Sequence, residues 1–185
     1  MDKQDNNDLE LYESIQEIPQ EFRCEQSSPG MWKLPKNQIL LGVKKCESMG
    51  WTEISKIEVP PEGFQFYLGS NHPNVFRAYV NSSFPKKVTD LFIGNSTEDY
   101  STLGSSFLDQ NDYSQITEII SKGSYPELKG FSYGTSKLFC NGNGLNGSVG
   151  DITELLKKMP NLESLEIGGF FTLSEPIILP KLKVL

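Results

Sequence analysis

Residues 155–169 read Leu-Leu-Lys-Lys-Met-Pro-Asn-Leu-Glu-Ser-Leu-Glu-Ile-Gly-Gly, and the spacing of their apolar side chains predicts one unit of structure. Leu165 and Ile167 are two positions apart, so in an extended strand they point to the same side. Leu162 comes three residues before Leu165 and anchors the bend that leads into the strand. Pro160 marks the end of the preceding helix, because proline disfavours helical backbone at the residue before it. The stretch therefore predicts a short helix, a bend and a buried strand.

The same pattern recurs along the second half of the chain. Five positions are repeated at a constant separation of 34 residues: Pro126, Leu128, Phe131, Tyr133 and Gly134 correspond to Pro160, Leu162, Leu165, Ile167 and Gly168. A third copy carries Val88, Leu91, Ile93 and Gly94, and a fourth begins with Pro180, Leu182 and Leu185. Upstream, residues 116–120 and 152–156 match as two similar helix starts. Repeats of this length are typical of stacked architectures, so we expect a parallel sheet covered by helices.

With these spacings the chain resembles leucine-rich-repeat proteins over about residues 85–185. It is similar to uncharacterised bacterial leucine-rich-repeat proteins of the cytoplasm, and residues 155–169 carry the resemblance most clearly. The resemblance implies an α/β fold in which a short leucine-rich-repeat-like solenoid with a parallel sheet follows a strand-rich N-terminal region. It also implies a role in binding other proteins.

Three regions are expected along the chain. Residues 1–8 are polar and acidic, and we expect a disordered tail there, followed by a short helix with Leu11, Ile15 and Ile18 on one face. Residues 9–84 are expected to form a strand-rich region of unknown type, with strands near residues 39–43, 57–59 and 64–68. Residues 74–80 are compatible with either a strand or a helix. Residues 85–185 form the repeat array.

The fourth copy of the repeat contains only its first half, up to Leu185. A final strand of this kind would present an open sheet edge, and stable solenoids cover that edge with a polar capping repeat. We therefore expect the chain to be a fragment of a longer array or to self-associate through its C-terminal edge.

Charge and composition exclude several classes of function. The chain has 17 basic and 24 acidic side chains and a net charge of −7, which opposes binding to nucleic acid or to an anionic membrane. The longest strongly apolar run, residues 39–43, is too short to cross a bilayer. The three cysteines lack the spacing of a zinc or redox motif, and the N-terminus does not resemble a signal peptide. We expect a cytoplasmic protein without a bound metal.

Two motifs are candidate sites of chemistry. Residues 142–147 read Gly-Asn-Gly-Leu-Asn-Gly, which matches the Gly-x-Gly-x-x-Gly pattern of a dinucleotide-binding loop. Asp151 at the start of the next helix would repel a phosphate, so the favoured interpretation is a loop between repeats. The alternative is a nucleotide-dependent enzyme that uses the Gly142–Gly147 loop. His72 is the sole histidine and precedes Pro73, which indicates a surface turn. We therefore expect no enzyme activity, no catalytic residue and no cofactor.

The remaining candidate is the surface formed by the strand residues that alternate with the inward-facing residues of the repeats. In a stacked sheet these side chains would line the concave side, and they are Asp90 and Phe92, then Gly130 and Ser132, then Ser164 and Glu166. The set is small and acidic with one aromatic ring, which favours a protein partner with some basic character. We therefore predict a non-catalytic protein-protein interaction module with five partner-binding residues: Asp90, Phe92, Ser132, Ser164 and Glu166.

Overall fold

A seven-stranded sheet forms the centre of the fold. The computed structural model describes residues 3–18, 23–26, 38–41, 51–53, 61–66, 68, 72–94, 112–134 and 148–185. The strands of this sheet, in chain order, are β1 (Arg23–Gln26), β2 (Gln38–Leu41), β3 (Trp51–Glu53), β4 (Gly63–Phe66), β5 (Asp90–Gly94), β6 (Gly130–Gly134) and β8 (Ser164–Gly168). Their spatial order is β3-β1-β2-β4-β5-β6-β8.

Five neighbouring strands, from β2 through β4, β5 and β6 to β8, run parallel, while β1 pairs antiparallel with both β2 and β3. The predicted α/β class with a parallel sheet is therefore confirmed.

One helix precedes the sheet, and short helices lie between later strands of the chain. They are α1 (Lys3–Gln16), α2 (Pro73–Asn81), a 3-10 helix (Phe84–Lys86), α3 (Ser114–Ile120) and α4 (Thr153–Lys157). A second, two-stranded sheet pairs β7 (Ser148–Asp151) with β9 (Phe170–Thr172) in parallel. Consecutive parallel strands lie next to one another, and because such crossovers are right-handed, their helices pack on the same face of the sheet.

The hydrophobic core lies between the sheet and these helices. Two in-register rows of strand residues point into it: Ile39, Phe64, Leu91, Phe131 and Leu165, and then Leu41, Phe66, Ile93, Tyr133 and Ile167. Phe66 packs against Phe76 of α2, with the ring centroids 4.9 Å apart. Leu165 is buried as the period-two pattern predicts, whereas Ile167 in the last row is only partly buried.

One backbone hydrogen-bond pattern recurs at the starts of β5, β6 and β8 and at the Val184 bridge. The carbonyl of the residue before a strand accepts the two amides at the start of the next: Glu62 accepts Thr89 and Asp90, Thr89 accepts Lys129 and Gly130, Lys129 accepts Glu163 and Ser164, and Glu163 accepts Lys183 and Val184. The strands are therefore aligned at their amino ends by equivalent contacts.

The amino-terminal helix begins earlier than predicted. Residues 3–8, expected to be disordered, are part of α1, and Asp8 lies inside that helix. The Asp8 carboxylate accepts hydrogen bonds from the Ser83 amide at 2.6 Å and the Ser83 hydroxyl at 2.8 Å. This contact fixes α1 to the segment after α2, which explains why a polar start is helical. The predicted apolar side chains Leu11, Ile15 and Ile18 are all buried.

The predicted boundary between residues 84 and 85 falls inside the sheet. Strand β4 lies before it and β5 after it, and the two strands pair in register from Gly63 and Asp90 onward. Residues on both sides also contribute to a single core cluster. Residues 74–80, for which the sequence allows either strand or helix, are helical and lie within α2. The strand expected near residues 57–59 lies outside the described residues.

Residues 116–120 and 152–156 have similar sequences, but they lie at different positions relative to their helices. Ile116 is the third residue of α3, whereas Ile152 precedes α4. The equivalent residues are Asp112 and Asp151. Each carboxylate accepts the amide two residues ahead, at 3.0 Å from Ser114 and 2.9 Å from Thr153.

Candidate functional site

The five predicted partner-binding residues lie on one face of three adjacent strands. Asp90 of β5 is in register with Gly130 of β6 and Ser164 of β8, and Phe92, Ser132 and Glu166 form the next row in the same order. Side chains alternate along a strand, so these rows face away from the core positions Leu91 and Ile93 and from the helices that cover them. We call this surface, defined by Asp90, Phe92, Ser132, Ser164 and Glu166, the polar face.

The middle strand of the polar face carries small residues, and we call the strip over Gly130 and Ser132 of β6 the channel. Asp90 and Phe92 flank this strip on β5, and Ser164 and Glu166 flank it on β8. Neighbouring strands are about 4.8 Å apart, so β5 and β8 are separated by roughly 10 Å, enough for an extended side chain to lie between them. Glu166 is exposed, and the other four residues that define the face are half-buried. The accessible part of the sheet surface is therefore on the β8 side.

Asp90 is held in place by two neighbours. Its Oδ2 atom accepts a hydrogen bond from the Thr89 hydroxyl at 2.8 Å. Its Oδ1 atom lies over Gly130, where a Cβ atom would be only 2.6 Å away. The absence of a side chain at Gly130 therefore gives the Asp90 carboxylate room to lean across the channel.

Phe92 places an aromatic ring on the same face, two residues further along β5. Its ring lies over Gly94 of the same strand, since a Cβ atom at Gly94 would be 2.6 Å from Phe92 Cζ. The face of an aromatic ring attracts cations and apolar groups, and a carboxylate attracts cations. Asp90 and Phe92 are therefore two separate groups of the polar face that can each attract a lysine or arginine side chain.

The same sheet face continues into the amino-terminal strands, which the sequence analysis did not include in the site. Gln65 of β4 is in register with Phe92, and its Nε2 atom donates to Oε1 of Gln38 in β2. Both glutamines are buried, so this end of the face is covered. Gln65 lies between Phe64 and Phe66 in an alternating run, and that alternation is a signal that could have placed it here.

A buried hydroxyl network supports β6 from the opposite side. Thr117 of α3 donates its hydroxyl proton to the Val149 carbonyl at 2.5 Å and therefore accepts from the Tyr133 hydroxyl at 2.7 Å. The Tyr133 hydroxyl oxygen is also 3.1 Å from the Tyr113 carbonyl oxygen. Burial raises the pKa of Tyr133 far above its usual value, so the side chain stays neutral. This network fixes the strand that forms the floor of the channel.

The described residues contain no group of three or more histidine, cysteine, aspartate or glutamate side chains arranged to hold a metal ion. His72 precedes α2 and is half-buried, and desolvation lowers its pKa. The Gly142–Gly147 loop lies outside the described residues. Within the part of the chain that the structure describes, no helix is long and apolar enough to cross a membrane.

The chemistry of the polar face follows from its own side chains. Two carboxylates, two hydroxyls and one aromatic ring can accept hydrogen bonds, attract a cation and pack against an apolar group. Comparisons of the chain with protein-family models, with curated proteins and with solved structures return no match.

Proposed function

We propose that this protein is a non-catalytic interaction module that binds another protein through the polar face. The observation that carries the proposal is the register of its five residues across β5, β6 and β8. Side chains from three separate parts of the sequence thereby form one surface, on the side of the sheet opposite the core.

The proposal includes a short leucine-rich-repeat-like array as the scaffold of this surface. The strand-start hydrogen bonds described above recur at each copy. The bend before each of the last three copies also has the same contact, in which a leucine amide donates to a carbonyl three residues earlier: Leu128 to Tyr125, Leu162 to Met159 and Leu182 to Leu179. In such arrays the residues between the core positions can vary without disturbing the packing, which suits them to recognition.

The partner we propose is a protein segment with exposed lysine or arginine side chains. Asp90 and Glu166 stand on opposite sides of the channel, and Phe92 adds an aromatic ring on the same strand as Asp90. Carboxylates on both sides attract a basic segment and repel an acidic one, so they favour the correct partner and speed its association. We place this interaction in the cytoplasm, in keeping with three cysteines that lack zinc-site or redox spacing.

Affinity capture with charge variants tests the proposal. The chain is immobilised as wild type, as Asp90→Asn/Glu166→Lys, and as the control Glu118→Gln/Glu127→Lys. The control changes the net charge equally at exposed residues in α3 and in the turn before β6. We expect a protein retained by the wild type and by the control to be lost with the polar-face variant. Equal retention by all three, or no specific protein retained by the wild type, would contradict the proposal.

A second variant tests the channel without changing a charge. Gly130→Ala places a methyl group against the Asp90 carboxylate, which must rotate away. We expect weaker capture with little change in melting temperature. Thermal shifts with NAD and ATP test the enzyme alternative, because a ligand at 100 times its dissociation constant adds roughly 2.7 kcal/mol of stability. Stabilisation that is lost in Gly144→Val would favour that alternative.

A further inference from the structure

Four polar side chains of the polar face surround one point above β6 and β8. The Asp90 carboxylate reaches over Gly130, since its Oδ1 atom lies 2.6 Å from the place that a Cβ atom would take at that glycine. Ser164 is in register with Gly130 on the next strand, and Ser132 and Glu166 form the following same-face pair on the same two strands. We call Asp90, Ser132, Ser164 and Glu166 the acceptor cluster, because all four side chains can accept hydrogen bonds.

The size of the acceptor cluster follows from strand geometry. Neighbouring strands are about 4.8 Å apart, and residues on one face of a strand are about 6.7 Å apart along it. The four groups therefore lie near the corners of a rectangle whose centre is roughly 4 Å from each corner. A hydrogen-bond acceptor lies at about the same distance from the central carbon of a guanidinium group, because an N–H···O contact of about 2.8 Å adds to one carbon–nitrogen bond. A guanidinium group over the centre can therefore reach all four side chains.

The number and arrangement of the acceptors favour arginine over lysine. A guanidinium group is flat and has five N–H donors that point outward in its plane, whereas an ammonium group has three donors on one nitrogen atom. The two carboxylates stand at opposite corners, Asp90 at one and Glu166 at the other, with a serine hydroxyl at each remaining corner. Acceptors spread in this way suit a flat donor group, because they lie too far apart for one ammonium group to reach all of them.

We propose that the acceptor cluster binds one arginine side chain of the partner protein, with the guanidinium group lying flat over β6 and β8. This inference rests on the proposed function and narrows its partner from a basic segment to one that presents an arginine at this point. Asp90, Ser132 and Ser164 are half-buried, so salt screens their interaction with a cation less than at an exposed site. Gly130 is required as well, because its missing side chain lets the Asp90 carboxylate reach over β6.

Nuclear magnetic resonance titrations with single-residue probes test this inference. The probes are the N-acetylated amides of arginine, of lysine and of citrulline, the last of which has the shape of arginine without its charge. We expect the arginine probe to shift the backbone amide signals of residues 130–132 and 164–166 and to bind at least about fivefold more tightly than the lysine probe. The citrulline probe should not bind. Glu166→Gln removes one charge-assisted hydrogen bond and should weaken arginine binding about tenfold or more, while the exposed control Glu118→Gln on α3 should not change it.

Gly130→Ala should also weaken arginine binding, since the added methyl group displaces the Asp90 carboxylate. Absence of arginine binding, equal binding of the arginine and lysine probes, or binding that Glu166→Gln leaves unchanged would overturn the inference. The affinity capture described above is evaluated separately. If a captured partner is lost with Asp90→Asn/Glu166→Lys while the arginine probe fails, the inference is wrong and the proposed function stands. If capture is also equal in all variants, the proposed function fails as well.

Discussion

Two buried tyrosines in the core should respond differently to the same substitution. Tyr79 lies among aromatic rings, 4.9 Å from Phe64 and 5.1 Å from Phe66 between centroids, and its hydroxyl has no hydrogen-bond partner within the described part of the chain. Tyr133 is equally buried, but its hydroxyl bonds to Thr117 at 2.7 Å. Replacing either residue by phenylalanine keeps the ring and removes one oxygen atom.

The expected magnitudes follow from what each hydroxyl does. An unpaired hydroxyl in an apolar core costs about 1–3 kcal/mol, so Tyr79→Phe should leave stability unchanged or raise it by about 1 kcal/mol or more. Tyr133→Phe removes a made hydrogen bond and should lower stability by about 1–2 kcal/mol. For a chain of this size, 1 kcal/mol corresponds to a change of about 2–4 °C in melting temperature.

Equilibrium unfolding in urea measures both variants against the wild type. We expect the urea midpoint to rise or stay constant for Tyr79→Phe and to fall for Tyr133→Phe, with the same dependence on urea concentration throughout. A loss of stability in Tyr79→Phe as large as that in Tyr133→Phe would refute the reasoning, because it would mean that the Tyr79 hydroxyl has a partner.

Three further predictions concern packing, backbone and pH. Leu165→Ala should cost about 2–5 kcal/mol in unfolding free energy and Glu166→Ala no more than about 0.5 kcal/mol; equal costs would contradict the period-two pattern of β8. Gly134 has a φ of 102°, and a Cβ atom there would lie 2.0 Å from the Gly168 carbonyl oxygen, so Gly134→Ala should lower the unfolding free energy by more than about 2 kcal/mol. At Gly130 the added methyl group meets the movable Asp90 carboxylate, so Gly130→Ala should cost less than about 1 kcal/mol in the same assay. Burial raises the pKa of Tyr79, Tyr125 and Tyr133 in the folded state. Their contribution to the free energy of unfolding is complete below about pH 10. Above that pH the unfolded chain ionises while the folded chain does not, so the contribution is lost by about 1.4 kcal/mol per pH unit for each tyrosine. Urea midpoints between pH 8 and 11 should show this fall, with a smaller slope in Tyr79→Phe; an unchanged slope in that variant would contradict it.

The parallel sheet was predictable from the sequence because its signal is strong and local. The separation of 34 residues between Phe131 and Leu165, and between Tyr133 and Ile167, appears directly in the register of β6 with β8. The same alternation placed Ser132 and Glu166 on the face opposite the core. A period of two residues determines which side a residue faces, so these positions did not require knowledge of the tertiary structure.

The amino-terminal half was harder to predict because its structure depends on distant contacts. Helix α1 extends back to Lys3 with the help of Asp8, whose partner Ser83 is 75 residues away in the sequence. Strand β4 joins the main sheet although no repeat pattern links it to β5. Gln65 was missed for this reason, since membership of the sheet had to be known before its side could be assigned.

The match between residues 116–120 and 152–156 as two helix starts was a wrong prediction for another reason. Apolar residues are common at the start of a helix, so a match of a few letters does not establish equivalent positions. Asp112 and Asp151 each lie two residues before the first residue of their helix, and each accepts the amide of that residue, Ser114 and Thr153 respectively. Those bonds depend on backbone geometry rather than on letter similarity.

Photo-crosslinking tests the central claim, that the polar face binds a protein partner, most directly. A photoreactive amino acid is introduced in living cells in place of Ser132 on the polar face or, as a control, in place of the exposed Glu118 on α3. We predict a specific crosslinked protein from position 132 that is absent from position 118 and disappears when Asp90→Asn/Glu166→Lys is added. Crosslinks of equal yield from both positions, or a crosslink from position 132 that persists in the charge variant, would contradict the account.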